Sequence, residues 1–85
     1  MSYRIEFTPS AARAFRKLPA PIQGRIAPKI DALAVNPRPH GVEKMGGYEN
    51  RYRVRVGEYR VIYVISDGPR LVTVAVIGHR REVYR

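Results

Sequence analysis

The sequence contains no cysteine, and this absence excludes several kinds of chemistry at once. Disulfide bonds, thiol nucleophiles and thiolate metal sites all require that side chain. A chain of 85 residues without a covalent cross-link buries only roughly 60 to 65% of its unfolded surface. We therefore expect a single domain over residues 1–85 that is marginally stable alone or is stabilised by a partner.

Long apolar segments are also absent. No stretch approaches the roughly 18 consecutive apolar residues that span a bilayer. The N-terminal residues "MSYRIEFTPS" lack the apolar centre of a secretory signal. The sequence thus predicts a cytoplasmic protein with no membrane partner.

Acidic residues are scarce: seven Asp and Glu stand against sixteen Lys and Arg, which gives a net charge of +9. Only Lys17, Lys29 and Lys44 are lysines, so the other thirteen basic residues are arginines. The planar guanidinium is a fork-shaped donor suited to phosphate and carboxylate. A positive field of this strength favours a polyanion or an acidic protein as partner. A cationic surface that serves only solubility is the alternative.

The first half of the chain carries helical signals behind a short strand. "YRIEF" (3–7) alternates apolar and charged residues, as a strand does, and Thr8 followed by Pro9 is typical of a helix start. "LPAP" (18–21) separates this helix from a second, whose apolar stripe is Ile22, Ile26, Ile30 and Leu33 and which "NPRPHG" (36–41) ends. We expect Pro28 to kink the second helix or to delay its start.

From residue 50 the apolar pattern has a period of two. "NRYRVRV" (50–56), "YRVIYVI" (59–65) and "LVTVAVI" (71–77) are therefore predicted strands. Gly57 at the first position of a two-residue loop suits a type II′ turn. The predicted class is α+β: an N-terminal strand, a helical hairpin, then a three-stranded antiparallel sheet.

The Gly57-Glu58 loop sets a register with a chemical consequence. It pairs Val56 with Tyr59, Arg55 with Arg60, Val54 with Val61, and Arg53 with Ile62. Arg55 and Arg60 then stand opposite each other, with Arg53 two residues along the same face. Like charges in this arrangement lower stability, so the pattern indicates an anion site, unless both side chains extend into water and the repulsion is screened.

The segment "IGHRREVYR" (77–85) adds related chemistry beside this hairpin. Gly78 lets the backbone turn, so that His79, Arg80, Arg81 and Tyr84 can face the arginines. Histidine exchanges protons near neutral pH, arginine holds phosphate, and tyrosine stacks on a base. A solvent-facing or capping role for the histidine, and a packing role for the tyrosine, are the alternatives.

In these motifs the sequence resembles the RelE/ParE superfamily of toxins from type II toxin–antitoxin systems, and its RelE-like branch in particular. The resemblance covers nearly the whole chain, through "YRIEFTPSAARAFRKLP", "NPRPHGVEKM", "YRVRVGEYRVIYVI" and "IGHRREVYR". It implies the RelE-like microbial ribonuclease-type fold, in which a helical hairpin packs on a curved antiparallel sheet.

The resemblance also implies an endoribonuclease that enters the ribosomal A site and cuts mRNA without a metal or other cofactor. In that branch the ribose 2′-hydroxyl attacks the adjacent phosphate. By this analogy Arg60 stabilises the phosphorane, Arg80 assists the phosphate or the leaving oxygen, and Tyr84 stacks on a base. Arg53, Arg55 and Arg81 would then bind the RNA.

The sequence departs from the best-known members at the proposed general base. Those members carry lysines where this chain has Arg53 and Arg55, and arginine gives up a proton far less readily. His79 is the first candidate for the proton acceptor and Glu43 the second. Alternatively, catalysis rests on positioning and electrostatic stabilisation alone.

The resemblance further implies a cognate RelB-like antitoxin, and hence a hetero-oligomer, with mRNA in the ribosomal A site as the target. The physics agrees, since an extended acidic segment can neutralise a basic face and fold on binding. Two other functions remain open. One is a ParE-like DNA gyrase inhibitor without nuclease activity, and the other is a catalytically inactive module that binds nucleic acid or antitoxin.

Overall fold

The computed structural model describes residues 2–47 and 49–83. The strands are β1 (Arg4–Phe7), β2 (Glu43–Lys44), β3 (Arg51–Val56), β4 (Tyr59–Ser66) and β5 (Leu71–His79), and the helices are α1 (Pro9–Lys17), α2 (Ala20–Ala32) and α3 (Arg80–Val83). Within those two ranges no helix is both long and apolar enough to cross a membrane.

The five strands form one sheet in the order β1-β5-β4-β3-β2. The predicted α+β class is confirmed, but the sheet is mixed and has more than the three predicted strands. β1 joins it in parallel beside β5, and the two-residue β2 pairs antiparallel with β3. The helical hairpin follows β1 and belongs to the long connection that a parallel pair requires.

Local side-chain contacts fix both ends of α1. At the N-terminus the Thr8 hydroxyl accepts a hydrogen bond from the Ala11 N–H at 3.2 Å, and Pro9 occupies the first turn, as predicted. At the C-terminus Gln23 Nε2 donates to the main-chain carbonyls of Phe15 and Leu18, each at 3.0 Å. Gln23 thereby gives the Leu18 carbonyl a donor beyond the helix end and adds a second donor to the Phe15 carbonyl, which also accepts from the Leu18 N–H at 3.1 Å.

The second helix begins at Ala20 and includes Pro28, so the predicted delay of its start is wrong. Pro28 lies on the exposed side, whereas Ile26, Ile30 and Leu33 of the predicted stripe are buried. The missing N–H and the proline ring therefore do not disturb the side of the helix that packs on the sheet.

The core lies between the helical hairpin and one face of the sheet. One cluster contains Ala11, Ile26, Ile30, Val56, Val61, Val74 and Ile77, and the other contains Leu33, Tyr52, Tyr63, Ile65 and Val72. Tyr63 is fully buried, and its hydroxyl donates to the Pro37 carbonyl at 2.7 Å. Burial raises the pKa of Tyr63 to about 12, because the phenolate is poorly solvated there.

A β-bulge in β5 sets which side chains face the core at the end of that strand. Ile62 pairs with Val76 while Tyr63 pairs with Val74, so Ala75 is an extra residue on β5. After the bulge Ile77 is buried and Val76 is exposed, the reverse of what strict alternation from Val74 gives. The Thr8 hydroxyl donates to the Ala75 carbonyl at 3.1 Å, which ties the start of α1 to the bulge.

Candidate functional site

The face of the sheet opposite the helices carries a row of arginines. The predicted hairpin register is confirmed, with Arg55 opposite Arg60 and Arg53 opposite Ile62. Arg51 continues the alternation of β3, so Arg51, Arg53, Arg55 and Arg60 share one side of the sheet, called here the arginine face. Arg51 was not among the predicted site residues, although the same period of two in the sequence identifies it.

Arg60 differs from its neighbours because it is only 6% exposed, and among the described residues it is the only buried charged side chain. Its position on β4 pairs with Arg55 on one side and with Gly78 on the other. Gly78 contributes no side chain, so nothing bulky flanks Arg60 from β5. Arg60 Nη1 donates to the Tyr59 carbonyl at 3.4 Å. A guanidinium held in this shielded position acts on a nearby anion more strongly than one in water.

Glu43 brings a carboxylate to the arginine face from the edge strand β2, where it pairs with Arg53. Arg53 Nη2 donates to Glu43 Oε2 at 2.9 Å, and Arg55 Nη2 lies 3.2 Å from Oε1. The hydrogen bond from Arg53 lowers the pKa of Glu43, and the charges of Arg53, Arg55 and Arg60 lower it further. The carboxylate is therefore ionised at neutral pH and bridges two guanidinium groups.

Arg80 lies at the hairpin end of the same sheet, two residues after Gly78. Its main-chain N–H donates to the Glu58 carbonyl at 2.8 Å, and its Nε is 3.6 Å from Glu58 Oε2. These contacts hold the first residue of α3 against the β3–β4 turn. Arg81, the next residue, is exposed.

His79 occupies the other face of the sheet. It pairs with Tyr59, and its ring meets the Tyr59 ring edge-on with centroids 5.5 Å apart. It lines a groove with Leu18 and Pro19 of the helical hairpin. His79 Nδ1 accepts a hydrogen bond from the Arg81 N–H at 3.3 Å and so caps α3. The structure does not bring His79 together with Arg60, because the bulge at Ala75 turns it toward the helices.

Tyr84, the predicted stacking residue, lies outside the described residues. Within residues 2–47 and 49–83, no group of three or more His, Asp or Glu side chains is arranged to hold a metal ion.

The two acids that contact the site arginines were not predicted in that role: the sequence indicated Glu43 only as a second candidate base and did not indicate Glu58. The register places Glu43 beside Arg53, but a two-residue strand gives no periodic signal that would reveal this register.

A second polar cluster lies at the opposite end of β4 and connects three segments. Arg38 Nη1 and Nη2 donate to Asp67 at 3.2 and 2.9 Å, and Tyr3 donates to the same carboxylate at 2.6 Å. Arg38 Nε also donates to the Tyr52 hydroxyl at 3.0 Å. The hydrogen bond from Arg38, followed by that from Tyr3, lowers the pKa of Asp67. Arg38, the cation of this cluster, is already bound to the Asp67 carboxylate and the Tyr52 hydroxyl, so we assign the cluster a structural role.

The fold and the site define a small basic α+β protein that carries a row of arginines, one of them buried, on the sheet face opposite its helical hairpin. A family model described as "ParE toxin of type II toxin-antitoxin system, parDE" matches residues 5–84. The chain therefore belongs to the ParE toxin family of type II toxin–antitoxin systems.

Individual relatives are RelE toxins, which confirms the predicted RelE/ParE superfamily and its RelE-like branch. Toxin RelE of Mycobacterium tuberculosis is 32% identical over 84 residues, which cover 98% of this chain and 87% of that protein. The isolated RelE toxin of Escherichia coli has a similar fold, with a TM-score of 0.85 and 26% identity over 98% of this chain and 92% of that one. The archaeal RelE–RelB complex from Pyrococcus horikoshii matches with a TM-score of 0.83 and 28% identity, over 94% and 97% of the two chains.

Proposed function

We propose that this toxin is a ribosome-dependent mRNA endoribonuclease whose active site is the arginine face. The observation that carries the proposal is the buried Arg60, which stands among Arg53, Arg55 and Arg51 on a surface that no helix of the hairpin covers. A fold alone does not define a reaction. A guanidinium held in place beside further arginines that can bind phosphate is, however, an arrangement that stabilises the charge of a phosphoryl-transfer transition state.

In the proposed reaction the ribose 2′-oxygen forms a bond to the adjacent phosphorus, and the bond from phosphorus to the 5′-oxygen breaks. The products are a 2′,3′-cyclic phosphate and a 5′-hydroxyl. Arg60 stabilises the additional negative charge of the phosphorane, and its burial removes competing water. Arg53 and Arg55 hold the neighbouring phosphates, while Arg80 and Arg81 reach the RNA from the end of β5. Tyr84 is proposed to stack on a base.

Among the described residues, His79 is not placed to accept the proton of the 2′-hydroxyl on this face, because its ring packs on Tyr59 on the helix side of the sheet. Glu43 is on the face, but its lowered pKa makes it a weak base. We therefore assign catalysis to positioning and electrostatic stabilisation, with solvent accepting the 2′-hydroxyl proton and supplying one to the 5′-oxygen. This was the third of the alternatives that the sequence left open.

A RelB-like antitoxin is the proposed partner, and the two proteins would form a hetero-oligomer in the cytoplasm. The relatives support this, since the archaeal match is a RelE–RelB complex. The net charge of +9 favours an acidic partner segment. The same field favours entry into an RNA-rich ribosomal A site, where the mRNA is presented as a single strand.

Primer extension on mRNA in translating ribosomes tests the proposed activity. Wild-type protein is expected to produce new 5′ ends only when ribosomes are present, and Arg60→Met is expected to produce none. Arg16→Ala removes an exposed arginine of α1 and is the matched control, which should cleave as the wild type does. Intact message with demonstrably folded wild-type protein would exclude the nuclease function.

The family description also favours a second candidate function, because it names a ParE toxin. In that case the chain would inhibit DNA gyrase without cutting RNA. A gyrase supercoiling assay separates the two functions: inhibition by wild type and by Arg60→Met alike, together with no mRNA cleavage, would select the gyrase function.

A further inference from the structure

The Glu43 carboxylate already occupies donors that an RNA phosphate would use. One of its oxygens contacts Arg53 at 2.9 Å and the other faces Arg55 at 3.2 Å. Carboxylate and phosphate both take two guanidinium donors through two oxygens. Glu43 is therefore in the position that a bound anion would take between these two arginines.

The two arginines that contact Glu43 differ in their exposure to water. The Arg53 side chain is only 18% exposed, whereas Arg55 is 58% and Glu43 47% exposed. Ion pairs that face water are weak and are screened by salt. A phosphodiester with its neighbours can therefore displace the carboxylate, which needs only a rotation of the Glu43 side chain away from the edge strand.

We propose that Glu43 is a positioning residue that keeps Arg53 and Arg55 in place when no RNA is bound and competes with the RNA phosphate for them. The identity of the ligand rests on the function proposed above, but the competition concerns anion binding and not cleavage. The competing carboxylate weakens the binding of every anion by a similar factor. A small isolated anion then keeps little affinity, whereas a strand with several phosphates still binds because it also contacts Arg60, Arg80 and Arg51.

Direct binding measurements test this proposal without any cleavage step. The probes are a fluorescent single-stranded 12-mer RNA with 2′-O-methyl groups, which cannot undergo 2′-hydroxyl attack, and inorganic pyrophosphate. Glu43→Gln keeps the size of the side chain and removes its charge. We expect it to bind both probes about three- to tenfold more tightly than wild type, in line with the loss of one or two solvent-exposed ion pairs.

Removing any acidic residue from a basic protein increases its general attraction for RNA, so the control must remove an equal charge elsewhere. Glu6 on the opposite edge strand is also exposed and pairs with an arginine, Arg4, at 3.2 Å. Glu6→Gln is expected to change affinity less than about twofold. The advantage of Glu43→Gln should also shrink as salt is raised, because screening weakens the competition in the wild type.

Equal affinity of Glu43→Gln and wild type for both probes would overturn the proposal. It would also be overturned if Glu6→Gln gained as much affinity as Glu43→Gln, or if none of the three proteins bound either probe. Loss of mRNA cleavage in Glu43→Gln without tighter binding would overturn it in favour of a general-base role. Failure of the nuclease function is detected separately in the ribosome assay. Circular dichroism of each variant checks that the chain is folded.

Discussion

Arg60 is a charged side chain at a strand position where a small protein ordinarily carries an apolar residue. It is 6% exposed and stands directly opposite another arginine, Arg55. Replacing a buried charge with an apolar residue of similar size is often neutral or stabilising. Like charges on paired strands lower the stability of the folded protein further. The folded protein is therefore expected to be no more stable with Arg60 than with an apolar residue at this position, so we attribute the arginine to function.

We predict that Arg60→Met leaves the melting temperature unchanged or raises it, while it lowers ribosome-dependent cleavage at least about 100-fold. That loss is the size seen when one fixed donor to a developing anion is removed. Thermal unfolding and cleavage rates measured on one preparation check both parts. Lys29→Met on the exposed side of α2 is the control and should change neither. A marked drop in melting temperature in Arg60→Met would show that Arg60 supports the fold.

His79 is predicted to act through structure and not through proton transfer. It caps α3 through the Arg81 N–H and packs on Tyr59. His79→Asn keeps a side-chain acceptor for the same N–H, so we expect less than about a tenfold loss of cleavage. The wild-type rate should continue to rise between pH 6 and 9, and the variant should show the same profile. A wild-type profile that levels off above roughly pH 7, and that His79→Asn abolishes, would restore the histidine base.

At the scale of elements, the bulge in β5 decides which residues belong to the site. Because Ala75 is extra, Gly78 stands opposite Arg60 and His79 turns to the helices. The Thr8 hydroxyl contacts both the bulge and the first turn of α1, at 3.1 and 3.2 Å. This single hydroxyl therefore couples the helical hairpin to the strand that shapes the arginine face.

Substitution of Thr8 tests this coupling. Thr8→Val is nearly isosteric but lacks the hydroxyl, and we expect it to lower the free energy of unfolding by about 1–2 kcal/mol, as the loss of a helix cap does. Thr8→Ser keeps the hydroxyl and should lower it by less than half as much. Urea unfolding monitored by circular dichroism provides both values. Equal losses in the two variants would mean that the methyl group, and not the hydroxyl, stabilises this junction.

The elements that sequence reasoning predicted well are those whose signal is local. Gly57 has φ of +60° and closes the two-residue turn, which fixed the β3–β4 register and therefore the arginine row. The bulge at Ala75 has no such signal, because "LVTVAVI" is apolar at every position except Thr73 and contains no residue typical of a break in a strand. β2 is too short to have a period, and the parallel pairing of β1 depends on tertiary packing. For these reasons the arginines were predicted correctly on one face, while the orientation of His79 and the bridge through Glu43 were not.

At the scale of the whole molecule, positive charge lies on both the sheet and the helical hairpin. The helical hairpin adds five basic residues, of which Arg13 and Arg25 are examples, against one acidic residue, Asp31. Among the described acids that form ion pairs, Glu43 and Glu58 contact proposed site arginines and Asp67 lies in the Arg38 cluster, while Glu6 pairs with Arg4 on the edge strand. Loss of these carboxylate charges in acid therefore acts on tertiary structure more than on any single helix.

Stability is accordingly predicted to fall on the acid side. Arg38 and then Tyr3 lower the pKa of Asp67 in the folded protein, and Arg53 lowers that of Glu43. A lowered folded pKa gives stability that is present above the ordinary carboxyl pKa and is lost as pH falls through the folded value. The melting temperature should thus decrease between roughly pH 5 and pH 2. Asp67→Asn should start lower at pH 7 and depend less on pH.

The control for this prediction is Asp31→Asn, which changes an exposed aspartate on α2 and should retain the wild-type dependence on pH. Parallel curves for wild type and Asp67→Asn would remove the Arg38 cluster from the account of acid unfolding. They would leave Glu43 as the group to examine.

Binding of the antitoxin is expected to raise the melting temperature of the toxin. A chain of this size with no cross-link and a net charge of +9 has limited stability alone. A RelB-like antitoxin that binds only the folded form stabilises it by about 4 kcal/mol at a thousand times its dissociation constant. For a domain of this length that is a rise in melting temperature of well over about 10 °C.

Co-purification with the protein encoded by the adjacent reading frame, followed by thermal unfolding with and without it, measures this rise in melting temperature. The rise should diminish in high salt, because an acidic segment on a basic face is screened. An unchanged melting temperature under saturating partner would contradict the assignment of that protein as the antitoxin and the expectation of coupled stabilisation.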